Sequence, residues 1–369
     1  MSGKSPNNEV NCENIQNQDL SQTENIEKLM PLSERIDECT NFSVRGYRVT
    51  SEGLVIFRRQ KHFHFYPYRM ASKFQFTTLP KDEKLAESFD VFLCNGFNLP
   101  SFAISFLKEE YDTYQAREDD IYVISYPKTG TTWLQEIVYL IHSNIDINSA
   151  LNIDLNQRFP YIEHSGTNFN DVKNMDSPRL LKTHLPYSCL PQDIIQKQCK
   201  IIYITRNPRD VAVSYYHFAC MLKETQYKGT FEQFFQRFLL DRPTYSPFLL
   251  HNLEFWNQRN DKNILFLSYE DLKIDLVGNL KKIAEFLNRK LNPEEFNAIK
   301  EHCEFKNMSK HKTTALSEDS AVDKKASSFY RKGQVGDWKN YFTEEMLKKL
   351  DEKVEKVLKG SGLQYTYEI

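Results

Sequence analysis

The nine residues Ser125-Tyr-Pro-Lys-Thr-Gly-Thr-Thr-Trp133 have the types and spacing to hold an anion. Gly130 lets the backbone approach a ligand closely and take dihedrals closed to other residues. If a helix starts here, the amides of Gly130, Thr131 and Thr132 point at the anion from its positive end. Lys128 adds a full charge, and Thr131 and Thr132 add hydroxyl donors. The pattern is not G-x-x-x-x-G-K-[ST], because Lys128 precedes the only glycine of the segment. Arg206 offers a planar fork suited to phosphate, and Ser214 lies two helical turns further on. His184 has the chemistry of a general base near neutral pH. Lys182 and His184 alternate, so on a strand they share one face.

These groups need strands that stop just before them. Ile121–Ser125, Arg179–Thr183, Lys200–Thr205 and Asn263–Ser268 are short apolar runs of the kind buried in parallel sheets. Apolar residues at 133, 134, 137, 138 and 141 predict a helix from Thr131, and further helices are predicted over Pro208–Met221 and about 271–288. Strands alternating with helices predict an α/β fold: a single domain whose central, mainly parallel sheet is flanked by helices. Ligands of such sheets bind at the strand C-terminal ends. Upstream, residues 44–59 read as two short strands around a Ser51-Glu52-Gly53 turn. The polar, aromatic-poor segment 1–38 is expected to be disordered. The predicted organisation is therefore a tail (1–38), an extension with a hairpin packed on the main domain (39–84), and the main domain (85–369).

A formal net charge of -2 gives no general pull toward nucleic acid or anionic membrane, and neither is an expected partner. The Arg- and Lys-rich aromatic stretch of the hairpin carries no RNA-binding motif. Seven cysteines without a C-x-x-C pair suggest neither a disulfide framework nor a zinc site, and His62 and His64 lack a third ligand nearby. No metal is expected. Without a signal sequence or a run of ~20 apolar residues, a cytoplasmic protein is expected.

Flanked by Tyr126-Pro127 and Trp133, the phosphate loop resembles the 5′-phosphosulfate loop of cytosolic sulfotransferases, which use 3′-phosphoadenosine 5′-phosphosulfate (PAPS). Arg206-Asn-Pro-Arg-Asp-Val-Ala-Val-Ser-Tyr-Tyr-His-Phe218 is similar to that family's 3′-phosphate segment, and Phe329-Tyr-Arg-Lys-Gly-Gln-Val-Gly-Asp-Trp338 to its R-K-G-x-x-G-D-W box. Leu180–Pro186 resembles the segment with the catalytic histidine, and Leu267–Leu272 the one whose tyrosine contacts the adenine region. The resemblance spans about residues 85–369, in the family's order.

It implies a PAPS-dependent enzyme of the EC 2.8.2 class that sulfates a small phenol, steroid, retinoid, other alcohol or amine. His184 would be the base, helped by Lys128 and Lys182. Lys128, Thr129, Gly130, Thr131, Thr132 and Trp133 would hold the 5′ side and the adenine. Arg206, Ser214, Arg331, Lys332 and Gly333 would hold the 3′-phosphate, with Tyr269 near the base. Cys303-Glu-Phe305 stands where the family has Thr-Ser-Phe, so Cys303 and Phe305 keep only backbone and ring contacts. Phe159, Tyr161, His164 and Phe218 would wall the acceptor pocket. Residues 306–328 would form a lid. The family's dimer motif, K-x-x-x-T-V-x-x-x-E, is degraded: Glu344 and Lys348 replace its Val and Glu, so a homodimer is possible but not by the intact motif. In having an extension the chain resembles an N-terminally extended invertebrate member, but the extension itself lies outside the resemblance; some insect relatives with extended N-termini act on retinoids. The competing readings are a P-loop nucleotide kinase or NTPase, a Golgi carbohydrate sulfotransferase with a membrane anchor, and a catalytically silent nucleotide-binding protein. The first would need a Walker lysine, and the last would have lost Lys128 or His184.

Overall fold

A computed structural model describes residues 47–49, 55–57, 74–85, 90–223, 225, 227–314, 323 and 327–369. The chain divides into two units, residues 1–63 and 64–369. In the first, β1 (Tyr47–Val49) and β2 (Val55–Phe57) pair antiparallel, with Tyr47 opposite Phe57. These are the two strands that residues 44–59 predict. The expected disordered tail, His62 and His64 lie outside the described residues.

The second unit opens with a small antiparallel sheet of β3 (Thr77–Thr78), β4 (Val91–Cys94) and β5 (Phe97–Pro100). Asn95 and Gly96 close the β4–β5 turn with φ of 50° and 82°, the left-handed pair that a two-residue hairpin needs. Helix α1 (Ser101–Glu109) follows directly.

The main sheet comprises β6 (Ile121–Ser125), β7 (Leu180–Thr183), β8 (Lys200–Thr205) and β9 (Ile264–Ser268). Its order is β7-β6-β8-β9, and every pair is parallel. Both faces are covered, which is why these strands read as unbroken apolar runs. Tyr122, Ile124, Leu181, Ile201 and Tyr203 face one core. Ile121, Val123, Leu180, Ile202 and Ile204, the alternate residues, face the other. The Arg179 guanidinium ties the lower ends of β6 and β7 through Asp120, with Nε–Oδ1 at 2.8 Å and both side chains buried.

Helices α2 (Thr131–His142) and α3 (Pro208–Met221) continue from β6 and β8. The start of α3 follows local rules: Pro208 is in its first turn, and the Asn207 side chain accepts the Asp210 amide at 2.9 Å. Helices α4 (Phe231–Leu239) and α5 (Phe248–Asn257) pack on the α3 side. After β9 come α6 (Tyr269–Ile274), α7 (Leu276–Phe286) and α8 (Pro293–Cys303). Helix α9 (Glu344–Leu358) packs beside α5. The stretch read as a lid begins with two short helical turns, Phe305–Met308 and Lys312–Thr314; most of the rest lies outside the described residues. Among the described residues, no helix is long and apolar enough to cross a membrane.

β6 is the first strand of this sheet in the chain and lies inside it, with β7 on one side and β8 on the other. The connections therefore leave in opposite directions and open a crevice above the carboxyl end of β6, where doubly wound sheets bind ligands.

Candidate active site

Every strand of the main sheet delivers chemistry at its carboxyl end. The loop 126–130 follows β6, His184 follows β7, Arg206 follows β8 and Tyr269 follows β9. The loop is held from beneath. Thr129 is fully buried, and its Oγ1 lies 2.8 Å from the Tyr126 carbonyl and 3.0 Å from that of Ile204. Its hydroxyl thus faces the protein rather than the crevice. Lys128 and Gly130 have φ of 72° and 107°, and a Cβ on Gly130 would come within 2.7 Å of the Tyr269 ring. Gly130 caps α2 without a capping side chain, so the first amides of the helix are left for a ligand. Thr131 Oγ1 meets Ser125 Oγ at 2.6 Å.

A cavity of about 420 Å³ runs from this loop toward α8. Lys128, Gly130, Thr131, Thr132, Trp133, Lys182, His184, Arg206, Ser214, Tyr269, Cys303, Phe305, Arg331, Lys332 and Gly333 all line it. Residues separated by two hundred positions thus meet around one space. The Lys128 ammonium lies between the rings of Phe218 (4.1 Å) and Phe329 (4.6 Å). Burial, then the charges of Lys182, Arg206 and Arg331, push its pKa down to about 7. At the far end, Trp133 and Tyr269 meet edge to face at 5.3 Å, and Trp133 Nε1 donates to the Cys303 carbonyl at 3.0 Å. Replacing threonine with cysteine at 303 leaves that main-chain contact available.

A second set of cations gathers between α3 and the C-terminal segment. Arg206 packs over Tyr269 at 4.4 Å and donates through Nη2 to the Gln334 carbonyl at 2.9 Å. Its Nε is buried without a hydrogen-bond partner. Arg331 and Lys332 both bond Asp337, whose carboxyl burial pushes up, but the bonds from Lys332, Asn340 and Arg331 hold it below its usual range. Asp210, buried in the first turn of α3, accepts the amides of Gly336 (2.9 Å) and Trp338 (3.1 Å). Gly333 has a φ of 63°, and a Cβ there would overlap the Phe305 ring. An orphan guanidinium nitrogen, three cations and a glycine without room for a side chain form a cradle for a phosphate.

A larger cavity of about 760 Å³ lies on the other side of His184. Phe102, Tyr161, His164, Val172, Phe234 and Tyr245 are among its walls. Phe159 is not: it is fully buried in the core on the α2 side of the sheet. The two cavities share Pro127, Asn156, Lys182, His184 and Phe218.

His184 is 8% exposed at this shared wall. Its Nδ1 donates to the Ser125 carbonyl at 2.6 Å, which leaves the Nε2 lone pair unprotonated. Burial, then the Lys182 charge, holds its pKa well below the usual value, so it is neutral at pH 7. Its main chain is fixed on both sides: its amide donates to Glu163 Oε1 at 2.7 Å, and its carbonyl accepts from His251 Nε2 at 2.9 Å. Lys182 lies 4.1 Å over the Tyr161 ring, and burial brings its pKa to about 8 against the opposing pull of Glu163. Glu163 also faces Tyr245, whose hydroxyl lies 3.3 Å from Oε1 and 2.6 Å from that of Tyr161.

Sequence reasoning missed Phe329, Asn156, Glu163 and Tyr245. Phe329 stood beside a recognised box. The others come from loops without periodicity, and Glu163 was legible only as part of Phe159–His164.

The chain matches a sulfotransferase domain model over residues 118–362. Sulfotransferase 1E1 of Homo sapiens is 38% identical over 267 residues, covering 71% of this chain and 91% of that protein. Sulfotransferase 4A1 of Homo sapiens is 37% identical over 257 residues, covering 70% and 86%. Among solved structures, retinol dehydratase in a complex with retinol and PAP aligns with a TM-score of 0.70 at 26% identity, over 82% of this chain and 100% of that one. The same enzyme with androsterone and PAP gives 0.68 at 26% identity, over 77% and 93%. A mouse sulfotransferase complexed with PAP gives 0.62 at 33% identity, over 73% and 95%. With a family model spanning most of its length and the phosphate loop at the head of its central strand, this chain belongs to the sulfotransferase family.

Proposed function

We propose that this sulfotransferase takes its sulfuryl group from PAPS and delivers it to the hydroxyl of a flat, largely apolar alcohol or phenol, with His184 as general base. One observation carries the reading: a neutral imidazole with a free Nε2 stands in the wall common to an anion-binding cavity and an aromatic one. The smaller cavity suits the nucleotide. Lys128 and the bare start of α2 serve the 5′ side. Arg206, Ser214, Arg331, Lys332 and the Gly333 backbone serve the 3′-phosphate, and Trp133, Tyr269 and Phe305 serve the adenine. The PAP found with retinol dehydratase and with the mouse enzyme supports this assignment.

The acceptor oxygen attacks sulfur in line with the leaving phosphate oxygen. As its bond to sulfur forms, Nε2 of His184 takes its proton, and the bond from sulfur to the 5′-phosphate oxygen breaks. Charge grows on that phosphate, where Lys128 and the amides of α2 face it. Lys182, on the same strand face as His184, neutralises the sulfuryl oxygens during transfer. The larger cavity lies within the usual volume of small-molecule sites, ~300–1,000 Å³, and Phe102, Tyr161, Tyr215, Phe218, Phe234 and Tyr245 place aromatic rings in its walls. Retinol and androsterone in the related enzyme are alcohols of this kind.

The test is incubation with sulfur-labelled PAPS and a panel of phenols, steroids, retinoids and amines. Transfer to a hydroxyl is expected, and His184→Ala should slow it by about 10²–10⁴-fold with nucleotide affinity unchanged. Absence of both PAPS binding and transfer would overturn the proposal. Loss of nucleotide binding in His184→Ala would make that residue structural.

A further inference from the structure

One cluster is left unused by this chemistry. Glu136 on α2, His302 near the end of α8 and His311 just before the Lys312–Thr314 turn converge behind the wall formed by Trp133 and Cys303. A carboxylate oxygen and one nitrogen of each imidazole all lie within 4.8 Å of one another. His302 Nε2 is 2.8 Å from Glu136 Oε1, and the two imidazole rings are 4.4 Å apart at 39°. Glu136 and His302 are 0% and 6% exposed. His311 is half-buried, but its Nδ1 is enclosed and has no hydrogen-bond partner. A buried polar atom left so is destabilising, and in a native protein it calls for an explanation such as a missing ion.

We propose that Glu136, His302 and His311 form a divalent transition-metal site suited to Zn²⁺. Two imidazoles and one carboxylate make a zinc donor set with a fourth position open. Ca²⁺ and Mg²⁺ prefer all-oxygen shells. Arg158 Nη2 holds Glu136 Oε2 at 2.9 Å, which leaves Oε1 for the metal and fixes the carboxylate plane. Zinc ligands at ~2.0–2.1 Å from the metal stand about 3.4 Å apart in a tetrahedron. The cluster therefore closes by a modest turn of His311, its least buried member. On binding, the His302 ring carries its proton on Nδ1, so that the neutral Nε2 and the carboxylate Oε1 both donate lone pairs to the metal.

The site would staple three parts of the nucleotide cavity. Glu136 belongs to the phosphate-loop helix. His302 adjoins Cys303, which anchors Trp133. His311 leads into Thr313 and Thr314, both cavity-lining. Resting on the nucleotide assignment above, a bound metal should slow nucleotide release.

The full chain, stripped with chelator, is titrated with Co²⁺ and Zn²⁺. One equivalent of Co²⁺ should give a tetrahedral ligand-field band in the visible, without thiolate charge transfer, and Zn²⁺ should displace it. His311→Asn, at a half-buried position, should fold and transfer sulfuryl normally without metal, yet bind at least about tenfold more weakly. Glu136→Gln should lose the band too, but it breaks the Arg158 pair and so serves only as a second variant. Absence of a stoichiometric band, or a band that survives in His311→Asn, would overturn the site. If the band forms but PAP leaves at the same rate with and without Zn²⁺, the effect on nucleotide release fails while the metal site stands; if PAP does not bind at all, it is the nucleotide assignment that fails.

Discussion

At the scale of single residues, Lys128 has the most direct consequence. Its pKa, pushed down to about 7 by burial and by neighbouring cations, belongs to the free protein. An anionic nucleotide favours the charged ammonium and so raises that value. Below about pH 7 the lysine is already charged and nucleotide affinity is flat. Above it, binding must take up a proton, and affinity falls about tenfold per pH unit until the bound-state pKa is reached. Calorimetry at pH 8 in two buffers of different ionisation enthalpy should therefore show proton uptake, and Lys128→Met should abolish it. A flat profile across pH 7–9 would place the charge elsewhere. Glu163 gives a second expectation. It opposes the loss of charge on Lys182, so Glu163→Gln should shift the basic limb of the rate profile to lower pH. An unchanged limb would reduce Glu163 to a backbone clamp for His184. Neither effect was legible in the sequence. The residue types of Lys128, Lys182 and His184 named them, but their shifted acidities come from packing against Phe218, Phe329 and Tyr161.

At the scale of elements, α2 is built to lack something. A helix ordinarily satisfies its first amides with a Ser, Thr, Asp or Asn side chain, as α3 does with Asn207. In α2 the capping position is Gly130 in a left-handed conformation, pressed against Tyr269. Gly130→Ala should destabilise the protein by about 1–2 kcal/mol from backbone strain alone, and by more through the Tyr269 contact. Thermal unfolding measures the stability loss, and nucleotide titration should show weakened binding. An alanine variant with full affinity would mean the loop does not need its left-handed turn. The main-sheet strands were readable because they are buried on both faces. Helix α3 was readable because Asn207-Pro208 marks its start. The single helix expected near 271–288 is two instead. Asp275 leaves helical geometry (φ −137°, ψ 81°) and caps α7 by accepting the Gly278 amide at 2.8 Å. Residues 91–100 showed no alternation because β5 is buried along its whole length, although Asn95-Gly96 carried the turn signal.

At the scale of the whole molecule, the described walls of both cavities come from residues 100–334. Deleting residues 1–63 should therefore leave nucleotide affinity and sulfuryl transfer essentially intact, as measured on the shortened chain with the best acceptor from the panel. A large drop would give the first unit a part in the site. The lining of the smaller cavity was legible because it is carried by contiguous strings with strict residue types. The larger cavity was not, since its walls come from α1, residues 160–175, α3, α4 and residues 243–245, segments scattered along the chain with no shared periodicity. Phe159 shows the cost of reading such a wall by alignment: it lies one residue before Pro160 and two before Tyr161, yet on the other side of the sheet.

Asp210 holds the amides of Gly336 and Trp338, and Arg206 holds the Gln334 carbonyl, so the cationic end of the smaller cavity, proposed above for the 3′-phosphate, is finished by residues 331–338. The order of synthesis then matters. A growing chain makes its phosphate loop early but has no complete nucleotide site until Trp338 has cleared the ribosome. The ligand can therefore reward only a nearly finished fold, and it cannot guide the earlier steps. Ribosome-stalled chains ending before Arg331 should gain no protease resistance from PAP, while chains with Trp338 beyond the exit tunnel should gain it.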